Sequence, residues 1–241
     1  MIRLLVPIPE PAPDSLEVQG ERHHYLTRVL RLTVDDDLEV FDGAGRAFTA
    51  KVRSVEAERA TLTLGAPVPS SAAPRIAIVQ GLPKGDKLEW VIQKGTELGA
   101  WAFAPAITNR AVVKLDEKRA ADRVQRWQKI AEEAARQCGR SDVPRVWPVR
   151  PLLDAVAAFP DAQVLVLDEE ERAQRLSAAV RADDAPRVLV IGPEGGLSRG
   201  EVQALQARGA TSVTLGPRVL RTETASLAAL AVLAHLAGEL G

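Results

Sequence analysis

From residue 75 onward the chain alternates between short, nearly continuous apolar runs and longer amphipathic stretches. The runs at 75–80, 102–104, 145–149, 163–167, 187–191 and 212–215 predict strands. The stretches at 86–98, 116–138, 151–158, 169–181, 199–208 and 224–238 predict helices. Strands apolar on both faces belong to a mostly parallel sheet covered by helices on two sides. The first 70 residues are patterned differently. Strands are predicted at 2–6, 38–42, 46–54 and 59–64, with turns at Asp42–Gly45 and Glu56–Glu58 and a short helix over His23–Leu30. Between the two regions, the small and rigid residues of 65–74 predict a linker. The chain therefore reads as an α/β protein with a small β-rich domain over 1–70 and a larger parallel-sheet domain over 71–241.

Composition narrows this picture. Among 241 residues 46% are hydrophobic but only 4% aromatic, so Leu, Val and Ala must fill the core. Cys138 is the one cysteine, which excludes an internal disulfide and a cysteine-based metal site within one protomer, and suits a reducing, cytoplasmic setting. The paired His23 and His24 lack an evident third metal ligand, and no metal is expected. The apolar N-terminus is too short and too rich in proline for a signal peptide, and no apolar run approaches a membrane span. Net charge is −1, but it is unevenly spread. Residues 71–150 hold 15 Lys and Arg against 9 Asp and Glu, and six of the seven lysines fall between Lys84 and Lys129. Such a local excess suits phosphate contacts and equally suits an ordinary solvated face.

Two segments carry candidate chemistry at the carboxyl ends of predicted strands, where ligands sit in parallel sheets. The first is Ile191-Gly192-Pro193-Glu194-Gly195-Gly196. Its glycines allow close backbone approach, which suits a ligand cradle and also a plain tight turn. Neither G-x-G-x-x-G nor G-x-x-x-x-G-K-[ST] is present, which argues against dinucleotide and P-loop sites. The second is Leu215-Gly216-Pro217-Arg218-Val219-Leu220-Arg221-Thr222-Glu223-Thr224-Ala225. Thr222 or Thr224 could cap the following helix, and Glu223 suits its positive end. Arg221 opposes that dipole and calls for an anionic partner. Elsewhere, Gly95 costs its predicted helix about 1 kcal/mol relative to alanine, which close packing of a backbone or a ligand would explain. Ser198 and Glu201 have capping-box spacing. Arg136 and Arg140 close the long helix, where basic residues favour the dipole in any protein.

Together with Arg22-His23-His24, Val29-Leu30-Arg31, Lys84-Gly85-Asp86-Lys87, Gln93-Lys94-Gly95-Thr96-Glu97-Leu98-Gly99 and Glu133-Ala134-Ala135-Arg136-Gln137, these segments resemble the 16S ribosomal RNA uracil-N3 methyltransferase family over nearly the whole chain. Gly95, where alanine is expected, and Cys138, where a small polar residue is expected, are departures that remove no chemical group. The resemblance implies an N-terminal PUA-like β-barrel that binds RNA and a SPOUT-type domain with a deep C-terminal trefoil knot. It implies a homodimer whose active site draws on both chains, S-adenosylmethionine (SAM) as cofactor, and methylation of one uridine of 16S rRNA within the assembled 30S subunit. The cofactor residues it implies are Leu167, Ile191, Gly192, Pro193, Glu194, Gly195, Gly196, Leu215, Gly216, Val219, Leu220, Arg221, Thr224 and Ala225. Arg221 would stabilise the uracil anion or orient its carbonyls, and Glu194 and Glu223 would act as general base or hold Arg221. Candidate RNA contacts are Arg3, Arg22, His23, Arg28, Arg31, Lys84, Lys87, Lys94, Arg110, Arg136 and Arg140. A related enzyme acting on another rRNA or tRNA, and a non-catalytic RNA-binding assembly protein, are the competing readings.

Overall fold

A computed structural model describes residues 1–69, 74–111 and 116–241. The chain forms two compact units, Met1–Ala72 with Glu132–Val143, and Ala73–Ala131 with Pro144–Gly241. The expected domain boundary after residue 70 and most of the second half of the expected linker lie outside the described residues. The start of that linker is strand: Gly65, Ala66 and Pro67 end β5 and continue its pairing with β4.

The first unit contains β1 (Arg3–Leu5), β2 (Ser15–Gln19), α1 (Gly20–His24), β3 (Asp37–Phe41), β4 (Ala47–Val55) and β5 (Arg59–Pro67). The expected helix at 23–30 begins earlier, as α1, and continues as a wider turn over Tyr25–Val29. The strands are ordered β1-β3-β4-β5-β2, with β1 and β2 at the edges. Strand β1 runs parallel to β3 and the other pairs are antiparallel. Strand β2 escaped the sequence reading although its two apolar residues, Leu16 and Val18, alternate with exposed ones and enter the core with Leu26, Val40 and Leu62.

Arg3 is a correction. Its guanidinium is buried, donates to Glu39 Oε1 at 2.7 Å, to the Arg140 carbonyl at 2.7 Å and to Ser141 Oγ at 3.0 Å, and stacks over Phe41 at 4.5 Å. With its donors committed to buried partners, Arg3 fastens 132–143 to β1 and is withdrawn from the RNA contacts. Arg136 and Arg140 are also engaged. Arg136 pairs with Glu133 and stacks over Tyr25 at 4.1 Å, while Arg140 pairs with Asp142 at 2.5 Å.

The second unit contains β6 (Ile76–Gly81), α2 (Lys87–Glu97), β7 (Ala102–Ile107), most of α3 (Glu117–Cys138), β8 (Arg145–Val146), β9 (Arg150–Pro151), α4 (Leu152–Ala157), β10 (Gln163–Leu167), α5 (Leu176–Ala179), β11 (Arg187–Ile191), α6 (Arg199–Gln206), β12 (Thr211–Val213) and α7 (Thr222–Leu236). Its sheet has the order β12-β10-β11-β6-β7-β8, with β9 also on β7, and every ladder is parallel. The strand expected at 145–149 is two short strands interrupted at Pro148, which has no N–H for a ladder. The helix expected at 169–181 shrinks to α5. The Glu171 carboxylate accepts from the amides of Ala173 and Gln174, and Gln174 and Arg175 pair with Thr214 beside β12, which draws this segment out of helical geometry.

Residues alternate across the sheet. Ala77, Val79, Val166, Val188 and Val190 pack with Leu152, Ala155, Val202 and Leu205 of α4 and α6. The opposite face is covered by α2 and α7. Gly95 lies on α2 where a Cβ would stand 2.8 Å from Cε1 and 2.9 Å from Cζ of the buried Phe103 ring. An aromatic ring, rather than a backbone or a ligand, explains this glycine. Gly95→Ala is expected to lose about 1 kcal/mol or more in urea unfolding, because overpacking at about 1–3 kcal/mol exceeds the gain in helix propensity. In a Phe103→Leu background the same substitution should cost nothing.

Candidate active site

Three strands deliver their carboxyl ends to one crevice. Leu167 and Asp168 come from β10, Ile191 and Gly192 from β11, and Val213 and Thr214 from β12. The turn after β11 and the segment between β12 and α7 complete its wall. Of the residues expected at a cofactor, Leu167, Ile191, Gly192, Pro193, Glu194, Gly196, Leu215, Gly216, Val219, Leu220 and Ala225 line it. Gly195, Arg221 and Thr224 do not. Sequence reasoning missed Asp168, Glu169, Arg172, Leu197, Arg199, Val213, Thr214, Arg218 and Thr222, which also line it. The charged run at 168–172 directly follows a predicted strand, and that position was the available signal. An apolar slot of Leu167, Ile191, Leu215, Val219 and Leu220, flanked by Asp168, Glu169 and Glu194, suits a flat aromatic group carrying hydroxyls and a cationic end.

The turn is held by what lies beneath it. Gln80, buried at the end of β6, donates to Thr222 Oγ1 at 2.8 Å and to the Gly192 carbonyl at 3.2 Å. The Thr222 hydroxyl donates to the same carbonyl at 2.6 Å. Ser226, one helical turn along α7, hydrogen-bonds Gln80 Oε1. Thr222 is therefore a buried tie and not a helix cap. The cap position is Arg221, without a side-chain capping bond, so neither Thr222 nor Thr224 fills the expected role. Side-chain atoms have no room here. A Cβ on Gly192 would stand 2.6 Å from the Gly196 carbonyl carbon, and one on Gly81 would stand 2.7 Å from Pro193 Cδ. Gly196 also has φ +68, so the turn needs glycine there. The expected capping box at Ser198 and Glu201 is formed, and Asn109 donates to both residues.

The charged groups divide into satisfied and free ones. Glu194 accepts from Lys87 Nζ at 2.7 Å and from the Lys84 amide at 3.1 Å. Burial pushes its carboxyl up, but these donors outweigh it and hold Glu194 below the usual carboxylate range. Lys87 Nζ also lies 3.8 Å from Glu223 Oε2, and its hydrogen bond to Glu194 raises its own pKa. Neither Glu223 oxygen is hydrogen-bonded within the described residues, and Oε2 is shielded from solvent. Asp168 is nearly buried and takes both arms of Arg199, at 2.5 and 2.9 Å. Burial pushes the Asp168 carboxyl up, yet the Arg199 guanidinium and the Glu170 amide prevail and lower it.

Among the expected RNA contacts in this unit, Lys87 is committed to carboxylates, Lys94 pairs with Glu97 at 2.8 Å, and Arg110 donates to the Gly195 carbonyl at 2.8 Å. The Lys84 side chain is exposed. Arg172 and Arg218 at the crevice, and Arg221 beside it, are exposed, and their side chains make no hydrogen bond or close ion pair among the described residues. In the first unit Arg22, Arg28 and Arg31 are exposed, and His23 Nε2 lies 3.0 Å from the Glu56 carbonyl.

Comparison with known proteins agrees with this geometry. Residues 70–234 match the family model of an RNA methyltransferase domain, and residues 18–65 match that of an RNA methyltransferase PUA domain. The chain is 39% identical to the ribosomal RNA small subunit methyltransferase E of Bacillus subtilis, covering 94% of this chain and 91% of that one. It is 36% identical to the protein of the same name from Mycobacterium bovis, covering 88% and 83%. The crystal structure of the Neisseria gonorrhoeae ribosomal RNA small subunit methyltransferase E bound to SAM superposes with a TM-score of 0.87, at 32% identity over 98% of both chains. A Legionella pneumophila protein solved in complex with SAM superposes at 0.85 with 31% identity, covering 98% of this chain and 97% of that one.

The Asp168–Arg199 pair makes a prediction that needs no ligand. A carboxyl whose folded pKa is lowered stabilises the fold above its ordinary value of 3.8, and the effect fades as pH falls through the folded pKa. Asp168→Asn should therefore lower the urea midpoint at pH 7, and its deficit should shrink steadily below about pH 4. A deficit independent of pH would show that the pair is not its source.

Proposed function

The chain belongs to the ribosomal RNA small subunit methyltransferase E family, and we propose on that premise that it transfers a methyl group from SAM to N3 of one uridine of 16S rRNA in the assembled small subunit. The observation that carries the proposal is the crevice at the ends of β10, β11 and β12, with its glycine turn and with Arg172 and Arg218 exposed and unpaired among the described residues. When bound, SAM supplies a methyl group already activated on a sulfonium. The chain's own task is to seat both partners in line and to manage the N3 proton.

In this reading the apolar slot holds the adenosyl group and the Gly192–Gly196 turn closes over it. Asp168 and Glu169 offer acceptors to hydroxyl or ammonium groups. Arg221 is exposed, makes no salt bridge among the described residues and stabilises the charge that develops on the uracil carbonyls. Arg172 and Arg218 add cations for phosphates. Residues 1–70 are the RNA-binding domain, with Arg22, His23, Arg28 and Arg31 as its contacts, and residues 71–241 form the catalytic domain. A second copy of the chain completes the active site, the C-terminal segment is threaded as a trefoil knot, and the enzyme works in the cytoplasm.

The test is methyl transfer from labelled SAM to purified small subunits and to naked 16S rRNA, followed by mapping of the modified base. Label on another rRNA or on tRNA would move the substrate. Failure to bind SAM in calorimetry would favour a non-catalytic assembly role. Arg221→Ala should reduce turnover on small subunits by about 100-fold. Its affinity for SAM should stay within a few-fold of wild type, and unchanged turnover would remove Arg221 from the mechanism.

A further inference from the structure

Glu194 and Glu223 differ in one respect that bears on the chemistry. Glu194 is held by two donors: the Lys87 ammonium at 2.7 Å and the Lys84 amide, shared between its two oxygens at 3.1 and 3.3 Å. It joins the loop before α2 to the glycine turn, and both of its oxygens already accept hydrogen bonds. Glu223 lies in the first turn of α7 and accepts no hydrogen bond within the described residues. Its inner oxygen, Oε2, is shielded and held 3.8 Å from Lys87 Nζ, beyond hydrogen-bond reach. Its side chain keeps 15% exposure, so the carboxylate is not sealed from the surface. Its neighbours Thr222 and Ala225 line the crevice. A largely desolvated carboxylate without a donor is costly, and a substrate N–H can meet the need.

We infer that Glu223 accepts the N3 proton of the uridine, while Lys87 and Glu194 are positioning residues that hold Glu223 and the glycine turn in place. The inference rests on the reading of this site as a uracil-N3 methyltransferase. The N3–H bond breaks and its proton passes to the Glu223 carboxylate. The N3 electron pair forms the bond to the methyl carbon, the bond from that carbon to sulfur breaks, and its pair stays on sulfur as a neutral thioether. Lys87 stands at the first residue of α2, where a cation opposes the helix dipole, and the two carboxylates account for its presence there. Its assignment as an RNA contact is replaced by this one.

Among the described residues the charged group facing Glu223 is Lys87 from α2, with Glu194 beyond it, and the Arg221 guanidinium acts on that same ammonium. Strand β6 presents neutral Gln80, α5 carries no titratable residue, and Arg187 stands at the far end of β11.

The experiment uses the full-length enzyme and small subunits under single turnover, with Glu223→Gln and Glu194→Gln compared with wild type across pH 6.5 to about 9.5, around the neutral range in which bases are tuned. Glu223→Gln should be slower by about 100-fold or more at pH 7, the scale of general-base catalysis. Its deficit should shrink as rising pH ionises N3 without help. Calorimetric affinity for SAM and the thermal midpoint should stay close to wild type, separating a chemical defect from a folding one. Glu194→Gln should show a deficit that does not change with pH, and weaker SAM binding. A Glu223→Gln rate equal to wild type at pH 7, or a deficit constant across pH, would overturn the inference. An inactive wild type would instead reject the proposed function, so the two failures are distinguishable.

Discussion

The site depends on one buried polar tie. Gln80, Thr222 and the Gly192 carbonyl lock together three parts of the chain that are 30 to 142 residues apart in sequence. Water is excluded there, so each group must find its partner within the protein, and loss of one leaves the others unsatisfied at a cost of about 1–3 kcal/mol. The tie sets where the glycine turn begins and where α7 starts. Once those are set, Glu194 lands beside Lys87, Glu223 points at the same ammonium, and Arg221 is left at the surface. A hydrophobic contact could hold α7 on the sheet, but it would not fix the direction of its first turn. Gln80 does this because an amide both donates and accepts along defined directions.

The sheet was legible because its signal is local. Strands β10 and β11 occupy the predicted residues 163–167 and 187–191, since an unbroken apolar run of four residues between turns has few other homes. Local signals also placed the capping box and the glycine turn. What failed was set by distant partners. Helix formers at 169–181 were overridden by backbone pairing with Thr214. Thr222 has the chemistry of a cap, but its hydroxyl is used by Gly192. Arg3 reads as a surface cation, yet Glu39 and the Arg140 carbonyl enclose it. Gly95 reads as a defect until Phe103 is placed against it. In each case residue type stated what the side chain could do, and only the fold supplied the partner.

Charge shows the same division more sharply. The basic middle of the chain suited phosphate contacts as well as an ordinary solvated face, and the C-terminal third, with 8 Lys and Arg against 12 Asp and Glu, gave no hint of the former. Regional sums cannot see pairing. Lys87 and Lys94 are spent on carboxylates, whereas Arg172, Arg218 and Arg221 stand exposed at or beside the crevice and unpaired among the described residues. An exposed unpaired cation costs the fold little, because water solvates it, and it remains available for a ligand anion. A cation already paired must first give up a protein carboxylate, and that exchange offsets most of what a phosphate would contribute. The cations able to bind an anionic substrate are therefore those left over after folding, and at the crevice they lie in the segment whose net charge is negative.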